Sequence, residues 1–301
     1  MKEIGIVGLG RMGLGIGERL KDRGWEVFGY DKDETALSRA EDRGLEVFEN
    51  LEFLCGEFSG RKLLWIMVPA DRVDDVLGEV KGFLAEGDTV IDGGNSYYED
   101  SVRRFEELKS IGVDFLDVGV SGGVWGKEEG YCLMVGGRRE VFEDIETLFS
   151  DLSWKGRGYA FLGGPGAGHF AKMVHNGIEY GMMQAIGEGF ELLKESPYDY
   201  DLMEVARLFT EGSVIRSWLM ELTHRAFADF GDLKDLEPVV QDSGEGRWAL
   251  HTAVRLGVPV WVMADALFSR FRSRQSASFR DKLIAALRYE FGGHKVKRKG
   301  E

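Results

Sequence analysis

Ile4-Gly5-Ile6-Val7-Gly8-Leu9-Gly10-Arg11-Met12-Gly13 is the stretch on which the fold of this 301-residue chain turns. A short apolar run leads into a GxGxxG turn, and Met12, Ile16 and Leu20 then mark one face of a helix. In such a turn the first glycine permits the bend and the second lets backbone approach a pyrophosphate. The third allows close helix–strand packing, and the helix N-terminus faces the anion. The pattern alone is weak. Its place at the first strand-to-helix turn, with an acidic Asp31 standing 21 positions after Gly10, makes it a dinucleotide signature. Gly8, Leu9, Gly10, Arg11, Met12 and Gly13 are therefore the candidate pyrophosphate loop. Asp31, at the end of the second strand, is suited to accept hydrogen bonds from adenine-ribose hydroxyls and to repel a 2′-phosphate, which favours NAD over NADP. The competing reading makes it a turn or capping residue ahead of Asp33 and Glu34. Lys32 beside it could partly accommodate a phosphate, so NADP stays possible.

Working outward, apolar runs at 4–7, 26–30, 62–68, 89–92 and 114–118 alternate with amphipathic stretches. Near-continuous apolar content predicts strands buried on both faces, and the alternation predicts a Rossmann-like, doubly wound α/β domain. Beyond about residue 163 strand-like runs vanish. Helical patterns take over at 166–194, 202–209, 215–228, 246–256, 259–271 and 277–291. The breaker cluster Gly163-Gly164-Pro165-Gly166 sets the expected boundary, giving a dinucleotide-binding domain at 1–164 and an all-α domain at 165–301.

The composition, 44% hydrophobic and 30% charged, is that of an ordinary globular protein. A formal net charge of -14 makes nucleic acid a poor partner, and any anion site must show as a local cluster of cations or helix N-termini. The one basic run, Lys295-Val296-Lys297-Arg298-Lys299, reads as a solvated tail. Two cysteines, Cys55 and Cys132, cannot build a disulfide framework, which fits a reducing compartment. Apolar runs fall far short of the roughly 20 residues that span a bilayer. No leader is recognisable, so the expectation is a cytoplasmic protein without membrane partners. No His/Cys/Asp cluster has metal-ligand spacing, and no metal is expected.

In the helical half, Lys172, His175, Asn176 and Glu179 stand at i, i+3, i+4 and i+7 and share one helix face, with Tyr180 at its edge. Phe170, Met173, Val174 and Ile178 around them are apolar, which predicts a packed helix. Ionisable groups on a packed helix are costly unless paired or facing a cleft. A plain Lys–Glu surface ladder is the alternative, but i, i+7 is too far for the usual helical pair. A lysine and a carboxylate facing one cleft can supply a base and an acid with separately tuned pKa values.

The segment Gly166-Ala167-Gly168-His169-Phe170-Ala171-Lys172-Met173-Val174-His175-Asn176-Gly177-Ile178-Glu179-Tyr180-Gly181 resembles the catalytic-helix signature of 6-phosphogluconate dehydrogenases. Gly8 to Gly13, Asp92-Gly93-Gly94-Asn95-Ser96, Asp117 to Gly123, Gly246-Arg247-Trp248 and Phe291-Gly292-Gly293-His294 fit the same resemblance, which covers nearly the whole chain. The wider β-hydroxyacid dehydrogenase superfamily shares the lysine, whereas the His-Asn-Gly-Ile-Glu-Tyr continuation points to the phosphogluconate branch. The chain is much shorter than the long members and is similar to the short-form enzymes. Where long members carry a substrate-binding lysine this chain has Ser243, and where NADP-specific members have Asn-Arg it has Asp31.

The resemblance implies oxidative decarboxylation of 6-phosphogluconate to ribulose 5-phosphate and CO2 with reduction of NAD or NADP. Lys172 would take the proton of the 3-hydroxyl and Glu179 would protonate C1 of the enediol. It further implies that Asn95, Ser121, Gly122, Gly123, His175 and Asn176 bind substrate. Tyr180, Arg270, Arg288 and His294 are the phosphate candidates, Arg because its fork matches phosphate oxygens. Val68, Pro69 and Ala70, with Asn95, would lie beside the nicotinamide. In that family the matching Arg and His of the tail reach across a two-fold axis, so a homodimer, or a dimer of dimers, with shared sites is expected. Two other readings compete: a dehydrogenase of a small unphosphorylated β-hydroxy acid of the 3-hydroxyisobutyrate type, and a non-catalytic NAD-binding sensor.

Overall fold

Five of the strands are the apolar runs of the first half. They are β1 (Glu3–Val7), β2 (Glu26–Tyr30), β4 (Leu63–Ile66), β5 (Thr89–Asp92) and β6 (Asp114–Ser121). The computed structural model describes residues 2–297. Three further strands, β3 (Glu46–Val47), β7 (Cys132–Gly137) and β8 (Tyr159–Gly163), complete an eight-stranded sheet in the order β3-β2-β1-β4-β5-β6-β7-β8. Pairing is parallel except between β6 and β7, where Val118 faces Val135 and Ser121 faces Cys132 in antiparallel register.

Side-chain alternation divides the buried strands between two cores. Ile4 and Ile6 of β1, Trp65 of β4 and Leu116 and Val118 of β6 join one core; Val7, Leu64, Ile66 and Phe115 join the other. Helices cover both faces: α1 (Arg11–Asp22), α2 (Glu34–Asp42), α3 (Leu51–Gly56), α4 (Val73–Val80), α5 (Tyr98–Lys109), α6 (Gly126–Glu129), α7 (Arg139–Asp144) and α8 (Glu146–Leu152). The chain winds outward through β2 and β3, then returns to the other side of β1 with β4. That reversal leaves a crevice at the carboxyl ends of β1 and β4, where doubly wound sheets bind ligands.

The strands that sequence reading passed over have physical reasons to be quiet. β3 is two residues long. β7 ends in Gly136-Gly137, and β8 alternates half-buried with exposed positions as an edge strand does, so neither forms a continuous apolar run.

The helical part comprises α9 (Ala167–Lys194), α10 (Leu202–Thr210), α11 (Trp218–Phe230), α12 (Glu245–Leu256), α13 (Trp261–Ser273) and α14 (Phe279–Gly292), close to the expected spans. The chain forms two compact units, Met1–Asn176 and Gly177–Glu301. This division lies beyond the expected 164/165 boundary because the first turns of α9 belong to the sheet. Gly168 sits directly on strand backbone: a Cβ there would lie 2.4 Å from both the Asp117 and the Met134 carbonyl oxygens. Across the same seam a Cβ on Gly119 would lie 2.4 Å from the Lys172 Cβ.

The second unit is thinly cored. Tyr180, Ala266 and Leu267 make one small buried cluster, and Phe190, Ala206 and Met220 another. Among the described residues α14 buries none of its side chains, and Phe279 and Phe291 are 78% and 77% exposed. Ile178, expected to be packed, is half exposed. Arg298 and Lys299 of the basic run lie outside the described residues.

The seam gives a direct check on α9. Gly168→Ala is expected to cost about 3 kcal/mol or more through overpacking against backbone that cannot yield. Gly187→Ala in the same helix, where nothing lies within 4 Å of the new methyl, should stabilise by about 0.5–1 kcal/mol. Urea-unfolding midpoints of the two variants measure both.

Candidate active site

The glycine turn opens α1 without any side-chain cap and with no acidic residue in the first turn. The first N–H groups of the helix, from Arg11 onward, are therefore the open donors. Nothing lies within 4 Å of a Cβ built on Gly10, whereas one on Gly13 would collide with the Gly8 carbonyl oxygen. This is an open backbone cradle that fits a pyrophosphate. Leu9 differs from its neighbours: its side chain is fully buried and its N–H donates to Asp31 Oδ2 at 2.7 Å. Asp31 Oδ1 accepts from the Asp33 N–H at 3.0 Å. The α2 cap is Asp33 rather than Asp31, accepting from the Thr35 N–H. Asp31 thus clamps the glycine turn, and each of its oxygens keeps a lone pair for a ribose hydroxyl.

Across the crevice, half-buried Val68 and Ala70 flank exposed Pro69 after β4, and exposed Asn95 follows β5. The Asn95 turn is built on Asp92, whose Oδ1 accepts from the Gly94 N–H at 3.1 Å and whose Oδ2 accepts from the Ser96 hydroxyl at 2.7 Å. Arg104 of α5 reaches the same carboxylate at 3.0 Å, and sequence reasoning missed it. The same guanidinium holds the Asp74 carboxyl below its ordinary pKa range, chiefly through a 2.7 Å hydrogen bond.

Helix α9 begins at a second buried carboxylate. Asp117 of β6 accepts from the Gly166 N–H at 2.7 Å and the His169 N–H at 2.8 Å, capping α9 from outside the helix. Burial pushes the Asp117 carboxyl upward, against the pull of His169 and the two amide bonds. His169 Nδ1 lies 2.7 Å from the Ser101 hydroxyl of α5. Two residues beyond Gly119, Ser121 lies with its hydroxyl 3.1 Å from His175 Nε2, and His175 Nδ1 lies 3.0 Å from Asn176 Oδ1. Gly122 and Gly123 follow with φ of 128° and 54°. Lys172 is 7% exposed. The structure thus brings Lys172, Ser121, His175 and Asn176 together around one strand end. Asp92 and Asp117 head two of the motifs that carry the family resemblance, but no part in the site was expected of either.

Glu179 and Tyr180 follow on α9 in the second unit. The Tyr180 hydroxyl accepts from the Ser243 N–H at 3.2 Å, and the Arg270 guanidinium stacks 3.6 Å from the Tyr180 ring centre while donating to the Gln241 carbonyl at 2.7 Å. Asp242 holds this turn by pairing with Arg247 at 2.5 Å and Arg274 at 2.6 Å. Arg288 carries no side-chain hydrogen bond or ion pair among the described residues, and the His294 ring stands edge-on to Phe291. Among the described residues neither makes a hydrogen bond, ion pair or ring contact with Tyr180 or Arg270. Among the described residues no group of three or more His, Cys, Asp or Glu could hold a metal ion. No helix among them is long and apolar enough to cross a membrane.

A doubly wound sheet with a glycine cradle, followed by a helix that begins on the sheet and carries Lys172, defines an NAD-binding oxidoreductase of the hydroxyacid dehydrogenase type. Residues 3–160 match the NAD binding domain of 6-phosphogluconate dehydrogenase, and residues 168–301 match the 6-phosphogluconate dehydrogenase C-terminal domain. The chain belongs to the 6-phosphogluconate dehydrogenase family. It is 46% identical to the Bacillus subtilis protein YqeC, across 99% of this chain and 100% of that one. It is 42% identical to an NAD(+)-dependent, decarboxylating 6-phosphogluconate dehydrogenase of Haloferax volcanii, with the same coverage. The Plasmodium falciparum 6-phosphogluconate dehydrogenase structure superposes with a TM-score of 0.82 at 27% identity, covering 99% of this chain and 67% of that longer one.

The Asp242 pairs predict an acid sensitivity. Hydrogen bonds from Arg247 and Arg274 lower its pKa from 3.8 to about 2, so the folded state favours the ionised form. A depressed pKa contributes stability above the unfolded value, and that contribution is lost as pH falls from roughly 4 through 2. Asp242→Asn should therefore flatten the stability profile in that window, as read by urea midpoints at stepped pH.

Proposed function

We propose that this enzyme oxidises and decarboxylates 6-phosphogluconate to ribulose 5-phosphate and CO2, with NAD preferred over NADP. The observation that carries the reading is Lys172, buried on the sheet-bound start of α9 beside the Ser121–His175–Asn176 group, with Glu179 two turns further along the same helix. Lys172 takes the proton of the substrate's 3-hydroxyl. When bound, the nicotinamide supplies the hydride acceptor. Lys172 then returns its proton to the oxygen at C3 as C1 departs as CO2, and Glu179 protonates the enediol carbon that was substrate C2 and becomes C1 of ribulose 5-phosphate. Ser121, His175, Asn176 and Asn95 orient the carboxylate and hydroxyls. A sensor without chemistry has no use for this lysine–carboxylate pair.

Cofactor choice rests on Asp31 at the end of β2, whose carboxylate beside the glycine turn would repel a 2′-phosphate. A kcat/KM with NAD above that with NADP is the expected outcome, and equality would remove the argument.

Arg270 over Tyr180 supplies one cation for the phosphate, and we assign Arg288 and His294 of a second copy as the others. The wholly unburied α14 supports this: its Leu283, Ile284, Leu287 and Phe291 need a partner surface. The resulting homodimer shares its active sites. Lys172→Ala should lower kcat by on the order of 10²-fold or more. Mixed with inactive Arg288→Ala after subunit exchange, it should recover activity, because one site of each mixed dimer is intact. No recovery despite demonstrated exchange would overturn the shared site.

A further inference from the structure

We propose that Arg104 is a positioning residue that sets the nicotinamide end of the cofactor site by fastening its two flanking loops to one buried cation. Arg104 is 1% exposed, although it stands on the surface-lying helix α5. Its guanidinium donates in four directions. Nε reaches Asp74 Oδ1 at 2.7 Å; Nη1 reaches Asp92 Oδ2 at 3.0 Å and the Ser96 hydroxyl at 3.1 Å; Nη2 reaches the Ala70 carbonyl at 3.4 Å. Ala70 closes the turn after β4 and Asp92–Ser96 is the turn after β5, so one rigid fork spans both. These are the loops that carry Val68, Pro69 and Asn95.

The fork geometry is what matters. A guanidinium offers five donors in a fixed plane, and an ammonium on a flexible stem cannot meet two carboxylates, a hydroxyl and a carbonyl together. Asp92 is itself wholly buried, so the arrangement is over-determined by charge as well as by hydrogen bonds. One turn earlier on α5, Ser101 holds His169 at the start of α9. The same helix thereby fixes the nicotinamide-side loops and the entry of the catalytic helix. The adenine end has separate supports in the glycine turn and Asp31. A loosened fork therefore affects one half of the dinucleotide and spares the other.

This inference deepens the proposed function and rests on the family resemblance's expectation that the nicotinamide lies beside Val68–Ala70 and Asn95. Arg104→Lys keeps the charge and removes the fork. Its affinity is measured for NADH, by nicotinamide fluorescence, and for ADP-ribose, which lacks the nicotinamide, by calorimetry. The expected result is about tenfold weaker NADH binding, the scale of lost hydrogen bonds to a charged group, with ADP-ribose affinity unchanged within about twofold. Equal weakening of both ligands would show a general structural role and overturn the proposal, as would no change in either. Should Arg104→Lys fail to fold, Ser96→Ala removes one arm of the fork without unpairing a buried charge. The same split in smaller measure then supports the proposal, and uniform or absent change overturns it. Failure of the proposed reaction would appear separately, as absent turnover of 6-phosphogluconate by the unsubstituted enzyme.

Discussion

The first turn of α9 rests on the backbone of β6 and β7, and the site depends on that contact. Gly168 and Gly119 bring helix and strand to a separation no side chain could occupy, and Asp117 accepts two of the helix's leading N–H groups. A helix seated in this way has its rotation fixed, so the direction in which Lys172 leaves it is fixed too. Burying Asp117 is costly in itself, and the two amide bonds offset that cost only when the helix is in place. The carboxylate and the helix entry therefore stabilise one another.

A parallel logic holds at the carboxyl ends of β4 and β5. Asp92, Ser96 and Arg104 form a closed polar network inside the sheet's margin, and the Asn95 turn is what it shapes. Buried networks of this kind are worth keeping when fully satisfied, because they permit one arrangement of the loops above them. In a chain with net charge -14, anion binding must come from local devices, and the uncapped start of α1 is one.

Much of this was legible in the chain. The GxGxxG turn, the apolar runs and the i, i+3, i+4, i+7 spacing of Lys172, His175, Asn176 and Glu179 are local patterns, and local periodicity is what sequence displays. β7 and β8 were not legible because an edge strand and a glycine-ended strand lack that periodicity. Asp92 and Asp117 stood out only as the first residues of two motifs, and Arg104 not at all, for another reason. Their importance lies in partners 12 to 52 residues away, which only the folded topology brings within reach. The compact units divide later than the breakers at Gly163–Gly166, because those mark where α9 begins and its first turns still pack on the sheet.

The central claim is that Lys172 and Glu179 carry out an oxidation coupled to loss of CO2 on a phosphorylated sugar acid. The most direct measurement follows NADH and released CO2 together from 6-phosphogluconate and NAD, beside 3-hydroxyisobutyrate as an unphosphorylated control. The account predicts CO2 and NADH in equal amounts from 6-phosphogluconate, with little turnover of the control. NADH formed without CO2, or a control oxidised as efficiently as 6-phosphogluconate, would contradict it.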